Sequence, residues 1–496
     1  MHLSARAMLG ALLAALIGFG ACGPKPMGRV DEARIARADS EPQNWLTAGR
    51  DAGKTHFTSL SQINRRNVAR LGFAWAFETR TNRVLEATPI VVDGVMFTSG
   101  PLGRVWALDA RTGALLWRFT PQVDGQINRK TCCDQANRGV AVWKGAVYVA
   151  ALDGMLYALD ARSGAVLWRA DTIVDKTRGY SVTGAPEIAG DLVLIGNAGG
   201  EFDVRGYVSA YDRKSGALRW RFFTIPDEND PASKTWSLQA RRDLGGGGAP
   251  YDAIHYDPQT GLVFVGTGNA GPYPRKVRDP GQSGAGGGDN LYVASVLALE
   301  AKTGRLIWAH QQTPGDQWDF TATQPMILTD LTIKGARRKV LMQAPKNGFF
   351  YVYDRRTGEV LSAKKFARAD WASHVDLKTG RPQENASADY SNGPRLIAPA
   401  AFGAHNWNPM AYSPRTGLVY IPAVDSAMIL WAPPQDPKHR PGLFAPRAIP
   451  FFLEQIQNAP DSLPPPVRAF VKAAKFPPST FEQGAYLRAW DPVAGK

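Results

Sequence analysis

An eleven-residue phrase recurs along this chain and restricts its fold more than any other feature of the sequence. Four copies share an apolar strand that ends at Asp or Glu, a turn that contains glycine, and a second strand that reaches tryptophan: ALDARTGALLW (107–117), ALDARSGAVLW (158–168), AYDRKSGALRW (210–220) and ALEAKTGRLIW (298–308). A weaker copy, VYDRRTGEVLS, occupies 352–362, and AWDPVAGK (489–496) begins another. The turn chemistry predicts a β-hairpin in each copy.

The acidic residue that ends the first strand of the phrase recurs about every fifty residues. Asp109, Asp160 and Asp212 are 51 and 52 residues apart, and Glu300 and Asp354 are 54 apart. The longer gap of 88 residues before Glu300 leaves room for an inserted loop. A period of about 50 built from short strands is typical of a β-propeller. We therefore expect an all-β propeller in which the repeated tryptophans pack between blades.

The proline-rich segment 432–480 contains PPQDP, PPP and FPPST and predicts a long excursion between blades.

The charge pattern excludes one class of partner. The 496 residues carry a net charge of +14, spread thinly over 58 basic and 44 acidic side chains. No long basic run and no nucleic-acid-binding motif accompany this charge. It therefore indicates a solvated basic surface, and we expect no nucleic-acid partner.

The first residues predict export from the cytoplasm. Arg6 precedes the apolar run at 8–21, which ends in small residues before Cys22, as in a secretory signal. The run is short for a membrane span. Cys22 resembles the lipidated cysteine of a bacterial lipoprotein, and ordinary cleavage nearby is the alternative. We assign 1–22 to a signal peptide, 23–41 to a linker and 42–496 to the propeller.

Two adjacent cysteines stand in TCCDQANRG (131–139). Neighbouring Cα atoms lie about 3.8 Å apart across a trans peptide, which is below the roughly 4.4–6.8 Å usual for a disulfide. Cys132 and Cys133 are therefore either a strained, rigid disulfide or two independent buried thiols. An oxidising compartment outside the cytoplasm would permit the disulfide, and the local sequence leaves both alternatives open.

Polar residues interrupt the repeat in loops that a propeller would bring together over its axis. They are Glu201 in NAGGEFDVRGY, Asn269 in GTGNAGPYP, Asp316 and Asp319 in TPGDQWDFTATQP, and Lys346 in APKNGFF. A single carboxylate in a loop is most often simply solvated. Carboxylate and amide oxygens from several blades, however, form a ligand set that suits Ca²⁺.

Taken together, these motifs resemble the quinoprotein alcohol dehydrogenases, from about residue 42 to the last residue. Members of this family are eight-bladed β-propellers that hold pyrroloquinoline quinone (PQQ) and a metal ion. The resemblance is stronger to the ethanol and quinohaemoprotein type than to methanol dehydrogenase, because Lys346 replaces an arginine of the methanol-specific members. It implies PQQ and Ca²⁺ as cofactors and a primary or secondary alcohol as substrate. It also implies a periplasmic enzyme with an external electron acceptor, such as cytochrome c or a quinone.

The resemblance also implies roles for individual residues. Asp319 matches the catalytic base, and Glu201, Asn269 and Asp319 match the metal ligands. The positions that match cofactor contacts are Glu86, Cys132, Cys133, Arg138, Thr183, Gly199, Gly200, Tyr251 and Lys346. In the family, the cysteine pair forms a disulfide against one face of the quinone. Tyr251 stands where a tryptophan usually covers the other face, and Thr321 stands where lanthanide-using members carry an aspartate.

The end of the chain leads to a further expectation and to two alternatives. Lys496 falls inside a hairpin, whereas the family continues with more strands, so we expect an eight-bladed propeller whose C-terminal part is incomplete in this chain. One alternative is a non-enzymatic propeller lipoprotein of the outer-membrane assembly type, and the other is a truncated, inactive quinoprotein. A scaffold would have no reason to keep Glu201, Asn269, Asp319 and the two cysteines together.

Overall fold

The computed structural model describes residues 27–131, 133–281, 288–434, 442–474 and 483–496. The predicted signal peptide, Cys22 and Cys132 lie outside these ranges. The described part of the predicted linker packs on the rest of the chain, since Val30 is fully buried and its carbonyl accepts a hydrogen bond from Lys144 N. None of the described helices has the length and hydrophobicity needed to cross a bilayer.

The described residues contain five antiparallel sheets of four strands, each formed by four consecutive strands paired in chain order. The first two sheets comprise β1 (Ile90–Val92), β2 (Val95–Gly100), β3 (Arg104–Asp109) and β4 (Leu115–Phe119), then β5 (Ala141–Trp143), β6 (Ala146–Ala150), β7 (Met155–Asp160) and β8 (Val166–Asp171). The third comprises β9 (Glu187–Ala189), β10 (Leu192–Gly196), β11 (Tyr207–Asp212) and β12 (Leu218–Phe223). The last two comprise β13 (Ile254–Asp257), β14 (Leu262–Gly266), β15 (Ser295–Glu300) and β16 (Leu306–Gln311), then β17 (Met326–Ile333), β18 (Ala336–Gln343), β19 (Phe349–Asp354) and β20 (Val360–Lys365).

Smaller sheets and short helices complete the described fold. The remaining strands are β21 (Ala372–Asp376), β22 (Arg381–Glu384), β23 (Arg395–Ile397), β24 (Ala411–Ser413), β25 (Leu418–Asp425), β26 (Met428–Trp431), β27 (Ile449–Phe452) and β28 (Gly484–Trp490). The α-helices are α1 (Glu32–Ala36), α2 (Leu238–Arg242), α3 (Arg275–Arg278), α4 (Leu453–Asn458) and α5 (Pro465–Ala473). The 3₁₀ turns are Ala38–Ser40, Val68–Arg70, Pro101–Gly103, Gly125–Lys130, Pro231–Thr235, Ala386–Ala388 and Pro460–Ser462.

The predicted all-β propeller architecture is confirmed, whereas the number of blades stays a prediction. The loop expected before Glu300 lies between β14 and β15 and carries α3. The described part of the proline-rich segment 432–480 follows β26 and contains β27, which pairs with β26. It differs from the expected connection between blades, because β25, which precedes β26, pairs with β28 beyond the segment, so the chain returns to the sheet of β25.

Each copy of the repeated phrase for which both strands are described forms the predicted hairpin, in which the acidic residue and, where present, the tryptophan make specific hydrogen bonds. The carboxylate of Asp109 accepts hydrogen bonds from the Arg111 and Thr112 amides and so closes the turn between β3 and β4. The indole of Trp117 then crosses to the next sheet, where its Nε1 donates to Ala161 O at 2.9 Å. It lies against Gly164, at which a Cβ would come within 2.6 Å of the ring. Trp168, Trp220 and Trp308 lie in the same way against Gly216, Gly304 and Gly358. Each of these four tryptophans therefore packs on the next sheet at a turn position where only glycine leaves room for the indole.

The first strands of the five four-stranded sheets surround a central cavity of about 170 Å³. Residues 45–56, which we call the axial segment, line this cavity together with these strands. Main-chain hydrogen bonds join the axial segment to β1 at Trp45 (2.8 and 3.0 Å), to β17 at Gly53 (2.9 Å) and to β24 at Thr55 (2.8 Å). Lys54 Nζ donates to Glu187 of β9 and to the Ile254 carbonyl of β13, both at 2.8 Å. The segment thus joins five sheets through the middle of the propeller.

Replacing Lys54 with methionine is expected to lower the free energy of unfolding by about 2–3 kcal/mol. The side chains of Lys54 and Glu187 are only 17% and 18% exposed, and removing one partner of a largely buried pair leaves an uncompensated charge, which costs up to about 3–5 kcal/mol when burial is complete. Denaturant unfolding of the wild type and the variant measures the difference.

Lys176→Met provides the matched control, because Lys176 pairs with Asp171 while its side chain is 75% exposed. Exposed pairs contribute about 0–1 kcal/mol. The double variant Lys54→Met/Glu187→Gln should recover part of the loss, since it leaves no unpaired charge. An equal effect of Lys54→Met and Lys176→Met would show that the axial segment does not depend on this ion pair.

Candidate active site

Glu86 and Arg138, two of the predicted cofactor residues, line the central cavity. Four of the predicted cofactor residues precede the first strand of a sheet by three or four residues: Glu86 before β1, Arg138 before β5, Thr183 before β9 and Tyr251 before β13. Because equivalent loops of successive blades meet at the same end of a propeller axis, this common position brings residues far apart in sequence together.

Arg138 is the centre of this cluster. Its guanidinium donates to Thr183 Oγ1 at 2.7 Å and pairs with Glu86 at 2.9 Å and with Asp252 at 3.8 Å. Burial raises the pKa of Asp252 to about 6 and raises the pKa of Glu86, and in both cases the attraction of Arg138 opposes the rise. The cluster is a buried cation held by two carboxyl groups, with Arg138 Nε lacking a hydrogen-bond partner among the described residues.

Tyr251 presents an aromatic ring at the same place. The guanidinium carbon of Arg138 lies 5.5 Å from its ring centroid, and its hydroxyl lies 3.2 Å from Thr321 Oγ1. Cys133, which would face the opposite side of a bound planar group, is exposed. Its predicted bond to Cys132 falls outside the described residues, so the disulfide stays a prediction.

Asp319 and Lys346 form the second half of the site. Lys346 Nζ lies 3.2 Å from both the Oδ2 atom and the main-chain carbonyl of Asp319. Burial raises the pKa of Asp319 to about 8, opposed by Lys346 and assisted by the negative charges of Glu201 and Asp316. Burial alone would lower the pKa of Lys346, but the attraction of Asp319 outweighs it and the net shift is upward.

Glu201 and Asn269 lie on two further loops. Tyr273 Oη donates to Glu201 Oε1 at 3.4 Å, and the Asn269 amide nitrogen donates to the Ala270 carbonyl at 3.3 Å. Gly200 lies beside Asn269, since a Cβ on it would lie 3.7 Å from Asn269 Oδ1. Gly199 has a φ of +100°, and a Cβ on it would lie 2.3 Å from a main-chain carbonyl. Only glycine fits at position 199.

The donor set of this half-site fits a hard divalent cation. The charge of Glu201 raises the pKa of Asp319, and Lys346 is the cation paired with Asp319. In the described ranges, no three His, Cys, Asp or Glu side chains converge as a metal site. A metal here would therefore need the amide oxygen of Asn269 as well. Mixed carboxylate and amide oxygens are ligands that Ca²⁺ accepts.

Three nearby residues escaped the sequence prediction. Asp252 follows Tyr251 directly, and Tyr273 contacts Glu201 from the Asn269 loop. The ring centroid of Trp407 lies 6.0 Å from the Arg138 guanidinium carbon. Trp407 precedes β24 by four residues, the same offset as that of Glu86 before β1. That offset is the signal that could have identified Trp407.

Comparison with known proteins agrees with this arrangement. Residues 45–365 match a PQQ family model, which is described as the glucose/ethanol/alcohol dehydrogenase β-propeller domain.

The chain belongs to the family of PQQ-dependent alcohol dehydrogenases.

Individual relatives place the chain within this dehydrogenase family. It is 48% identical over 446 residues to quinohemoprotein alcohol dehydrogenase ADH-IIG of Pseudomonas putida, which covers 87% of this chain and 61% of that enzyme. The structure of the same enzyme matches with a TM-score of 0.86 and 43% identity, over 95% of this chain and 68% of that one. A 1-butanol dehydrogenase (cytochrome c) of Thauera butanivorans is 40% identical, over 78% of this chain and 56% of that protein.

A structure described as a europium-containing methanol dehydrogenase matches this chain with a TM-score of 0.82 and 30% identity, over 94% of this chain and 79% of that one. The chain spans about three-fifths of the length of curated quinohemoprotein alcohol dehydrogenases that it matches.

Proposed function

We propose that this protein binds PQQ and Ca²⁺ and oxidises a primary or secondary alcohol to the aldehyde or ketone. The observation that carries this proposal is the convergence of two half-sites. One is the Arg138–Thr183–Tyr251 cluster, and the other is the Lys346–Asp319 pair beside Glu201. The Tyr251 hydroxyl lies 3.2 Å from Thr321 Oγ1, two residues after Asp319, so the two half-sites adjoin.

The first half-site suits an anionic planar cofactor. Arg138 supplies positive charge, and Thr183 supplies a hydroxyl at the same edge. Lys346 of the second half-site adds another cation. Arg138 Nε is a buried donor with no hydrogen-bond partner among the described residues, because the Asp252 carboxylate, 3.8 Å away, is too far for a hydrogen bond. Tyr251 provides an aromatic face, and the predicted Cys132–Cys133 disulfide would cover the other face. Glu86 balances the charge of Arg138 and orients it.

The second half-site would hold the metal and move the proton. We assign Glu201, Asn269 and Asp319 as oxygen ligands for Ca²⁺. When bound, PQQ supplies the two-electron acceptor, and Ca²⁺ supplies the Lewis acid that polarises its carbonyl group. Asp319 takes the proton of the alcohol hydroxyl as general base, and Lys346 favours its carboxylate form by donating to Oδ2.

The electrons must pass to an external acceptor, for which we propose cytochrome c or a quinone. Cytochrome c stands in the name of the Thauera butanivorans relative. We further propose that the protein works in the periplasm, since residues 1–22 have the pattern of an export signal, with Cys22 as a candidate lipid anchor. Lys346, in place of the arginine of methanol-specific members, favours an alcohol larger than methanol.

Reconstitution tests this function. Purified protein is mixed with PQQ and Ca²⁺, and the quinone absorbance of the bound cofactor is recorded, followed by dye reduction with 1-butanol as substrate. We expect stoichiometric PQQ binding and alcohol-dependent dye reduction. Binding without turnover would indicate the inactive quinoprotein, and the absence of binding would favour the scaffold alternative.

Removal of the Tyr251 ring should weaken PQQ binding. Stacking of a flat ring on an aromatic side chain is worth about 1–3 kcal/mol in comparable complexes, so Tyr251→Ala should raise the dissociation constant of PQQ by roughly tenfold or more. Tyr251→Trp should lower it, because an indole covers more of the cofactor. Titration of PQQ absorbance in the presence of Ca²⁺ measures both.

Tyr251→Phe separates stacking from hydrogen bonding in that experiment. It retains the ring and removes only the hydroxyl that contacts Thr321. We expect its affinity for PQQ to stay close to that of the wild type. If Tyr251→Phe weakens binding as much as Tyr251→Ala does, the contact with Thr321 matters and the ring does not.

A further inference from the structure

Asp316 caps the turn that carries the proposed base. It is fully buried, and its Oδ1 atom accepts hydrogen bonds from the main-chain amides of Trp318 at 3.1 Å and Phe320 at 3.0 Å. These two residues flank Asp319. When an aspartate carboxylate accepts hydrogen bonds from main-chain amides a few residues later in the sequence, it fixes the conformation of the turn between them. The cap of Asp316 therefore acts on the main chain on both sides of Asp319.

Asp319 has a main-chain conformation that needs such support. Its φ is +65°, in the left-handed region that residues other than glycine rarely adopt. A residue in this region keeps its conformation only where the surrounding contacts determine it. The direction of the Asp319 side chain, toward Lys346, depends on that conformation.

Arg278 connects this turn to the other candidate metal loops. Its guanidinium is fully buried and donates through Nη2 to the Asp316 carbonyl at 2.9 Å and through Nη1 to the Tyr273 carbonyl at 2.9 Å. Tyr273 in turn contacts Glu201 through its hydroxyl. A single side chain thus joins the loop of Asp319 to the loop that follows Asn269, and through Tyr273 to Glu201.

The remaining bonds of Arg278 hold the guanidinium plane in place. Its Nε donates to Asn290 Oδ1 at 3.0 Å, and Asp279 lies 3.4 Å away as its ion-pair partner. Asn290 Nδ2 also donates to Asp279 at 2.7 Å. A planar fork that reaches two loops at once is a geometry that arginine provides and lysine does not.

We propose that Asp316 and Arg278 are positioning residues that hold Asp319, Glu201 and Asn269 in the arrangement required for metal binding and proton transfer. This inference rests on the proposed function of those three residues. We infer that Asp316 positions the turn through the two hydrogen bonds that Oδ1 accepts and not through its charge. Its Oδ2 atom has no hydrogen-bond partner among the described residues.

The pair of variants Asp316→Ala and Asp316→Asn tests the proposal. Asparagine keeps the oxygen that caps the turn and places an amide where the unpartnered oxygen lies, whereas alanine removes the cap. Three quantities are measured on the full chain: Ca²⁺ affinity in the presence of PQQ, turnover of 1-butanol, and hydrogen exchange of the Trp318 and Phe320 amides.

Asp316→Ala should weaken Ca²⁺ binding by roughly 10–100-fold, as expected for the loss of a residue that orients metal ligands. It should lower turnover by about 10²-fold, since a shift on the order of 1 Å in a catalytic group has that effect. Asp316→Asn should restore most of both losses. Equal losses in the two variants would overturn the proposal in favour of a role for the charge, and wild-type values in Asp316→Ala would overturn it as well.

Arg278→Lys supplies a second test, which decides the matter if Asp316→Ala does not fold. It retains the positive charge beside Asp279 and loses the fork, so Ca²⁺ affinity should fall at least tenfold. Wild-type Ca²⁺ affinity in Arg278→Lys would overturn the connection between the loops.

The hydrogen-exchange measurement separates failure of this inference from failure of the proposed function. If the wild type binds neither PQQ nor Ca²⁺, the function is wrong, and exchange alone decides the inference. The Trp318 and Phe320 amides should then lose protection in Asp316→Ala and keep it in Asp316→Asn. If the Trp318 and Phe320 amides keep their protection from exchange in Asp316→Ala, Asp316 does not cap the turn.

Discussion

Asp319→Asn is expected to lower the rate of alcohol oxidation by roughly 10²–10⁴-fold, the usual contribution of a positioned general base, while PQQ stays bound. Asparagine has the shape of aspartate and keeps an oxygen near Lys346, but it cannot accept the hydroxyl proton. The residues proposed to hold the edge and face of the cofactor, Arg138 and Tyr251, are unchanged in the variant. Turnover should therefore fall far more than PQQ occupancy.

The experiment compares bound quinone absorbance and dye reduction in the wild type, in Asp319→Asn and in Asp330→Asn. Asp330 on β17 pairs with the largely exposed Arg337 of β18 at 3.1 Å and with Arg355 at 3.9 Å, and it controls for the loss of a carboxylate in the same part of the chain. If Asp319→Asn retains most of the wild-type turnover, Asp319 has no place in the mechanism. If it loses PQQ altogether, its role is in binding.

The repeated phrase predicted the fold because its consequences are local. The Asp109 carboxylate closes its turn by accepting hydrogen bonds from residues two and three positions later. All three residues belong to the same eleven-residue phrase, so the sequence of the phrase predicts the turn. The docking of Trp117 onto Gly164 follows from the same phrase, since both partners belong to consecutive copies of it. A contact between equivalent positions of a repeat can be read from the repeat itself.

The site was predicted in part, and the limit has a physical cause. Motif resemblance identified Arg138, Thr183 and Tyr251, and these three lie together in the structure. Trp407 was missed because its loop resembles none of the quoted motifs, although its offset from β24 equals that of Glu86 from β1. Positions counted from the first strand of each blade therefore carry information that the motifs do not.

Contacts between unlike elements were not visible in the sequence. Arg278 lies in a loop with no repeat partner and bonds to Asp316, 38 residues further on. Lys54 of the axial segment reaches Glu187, which is 133 residues away. Nothing in either local sequence specifies these pairs, because a buried charge finds its partner only when the tertiary fold brings the two together.

The metal preference of the site follows from what stands at position 321. The side chain of Thr321 is buried, and its hydroxyl lies 3.2 Å from Tyr251 Oη and accepts from Gln324 Nε2 at 2.9 Å. It is neutral and already engaged with neighbouring polar groups. Glu201 and Asp319 are thus the two carboxylates that we assign to the metal, and Asn269 adds a neutral oxygen.

We therefore expect Ca²⁺ to restore activity to the metal-stripped enzyme and La³⁺ or Ce³⁺ to restore it poorly. Two unit charges about 4 Å apart interact by roughly 4 kcal/mol at an effective dielectric constant near 20. A trivalent ion that lacks a third carboxylate therefore forgoes a contact of several kcal/mol. A structure described as europium-containing has a similar fold, with a TM-score of 0.82, so we expect the residues around the ion, rather than the architecture, to decide the preference.

Thr321→Asp supplies the matched variant for this test. An aspartate at this position adds the missing carboxylate, and lanthanide activation should rise in the variant while activation by Ca²⁺ falls or stays level. The measurement is dye reduction after removal of metal with a chelator and addition of each ion in turn, with Tyr251→Phe as the control for loss of the hydroxyl contact at Thr321. Strong activation of the wild type by La³⁺ together with none by Ca²⁺ would show that a neutral residue at position 321 does not select the divalent ion.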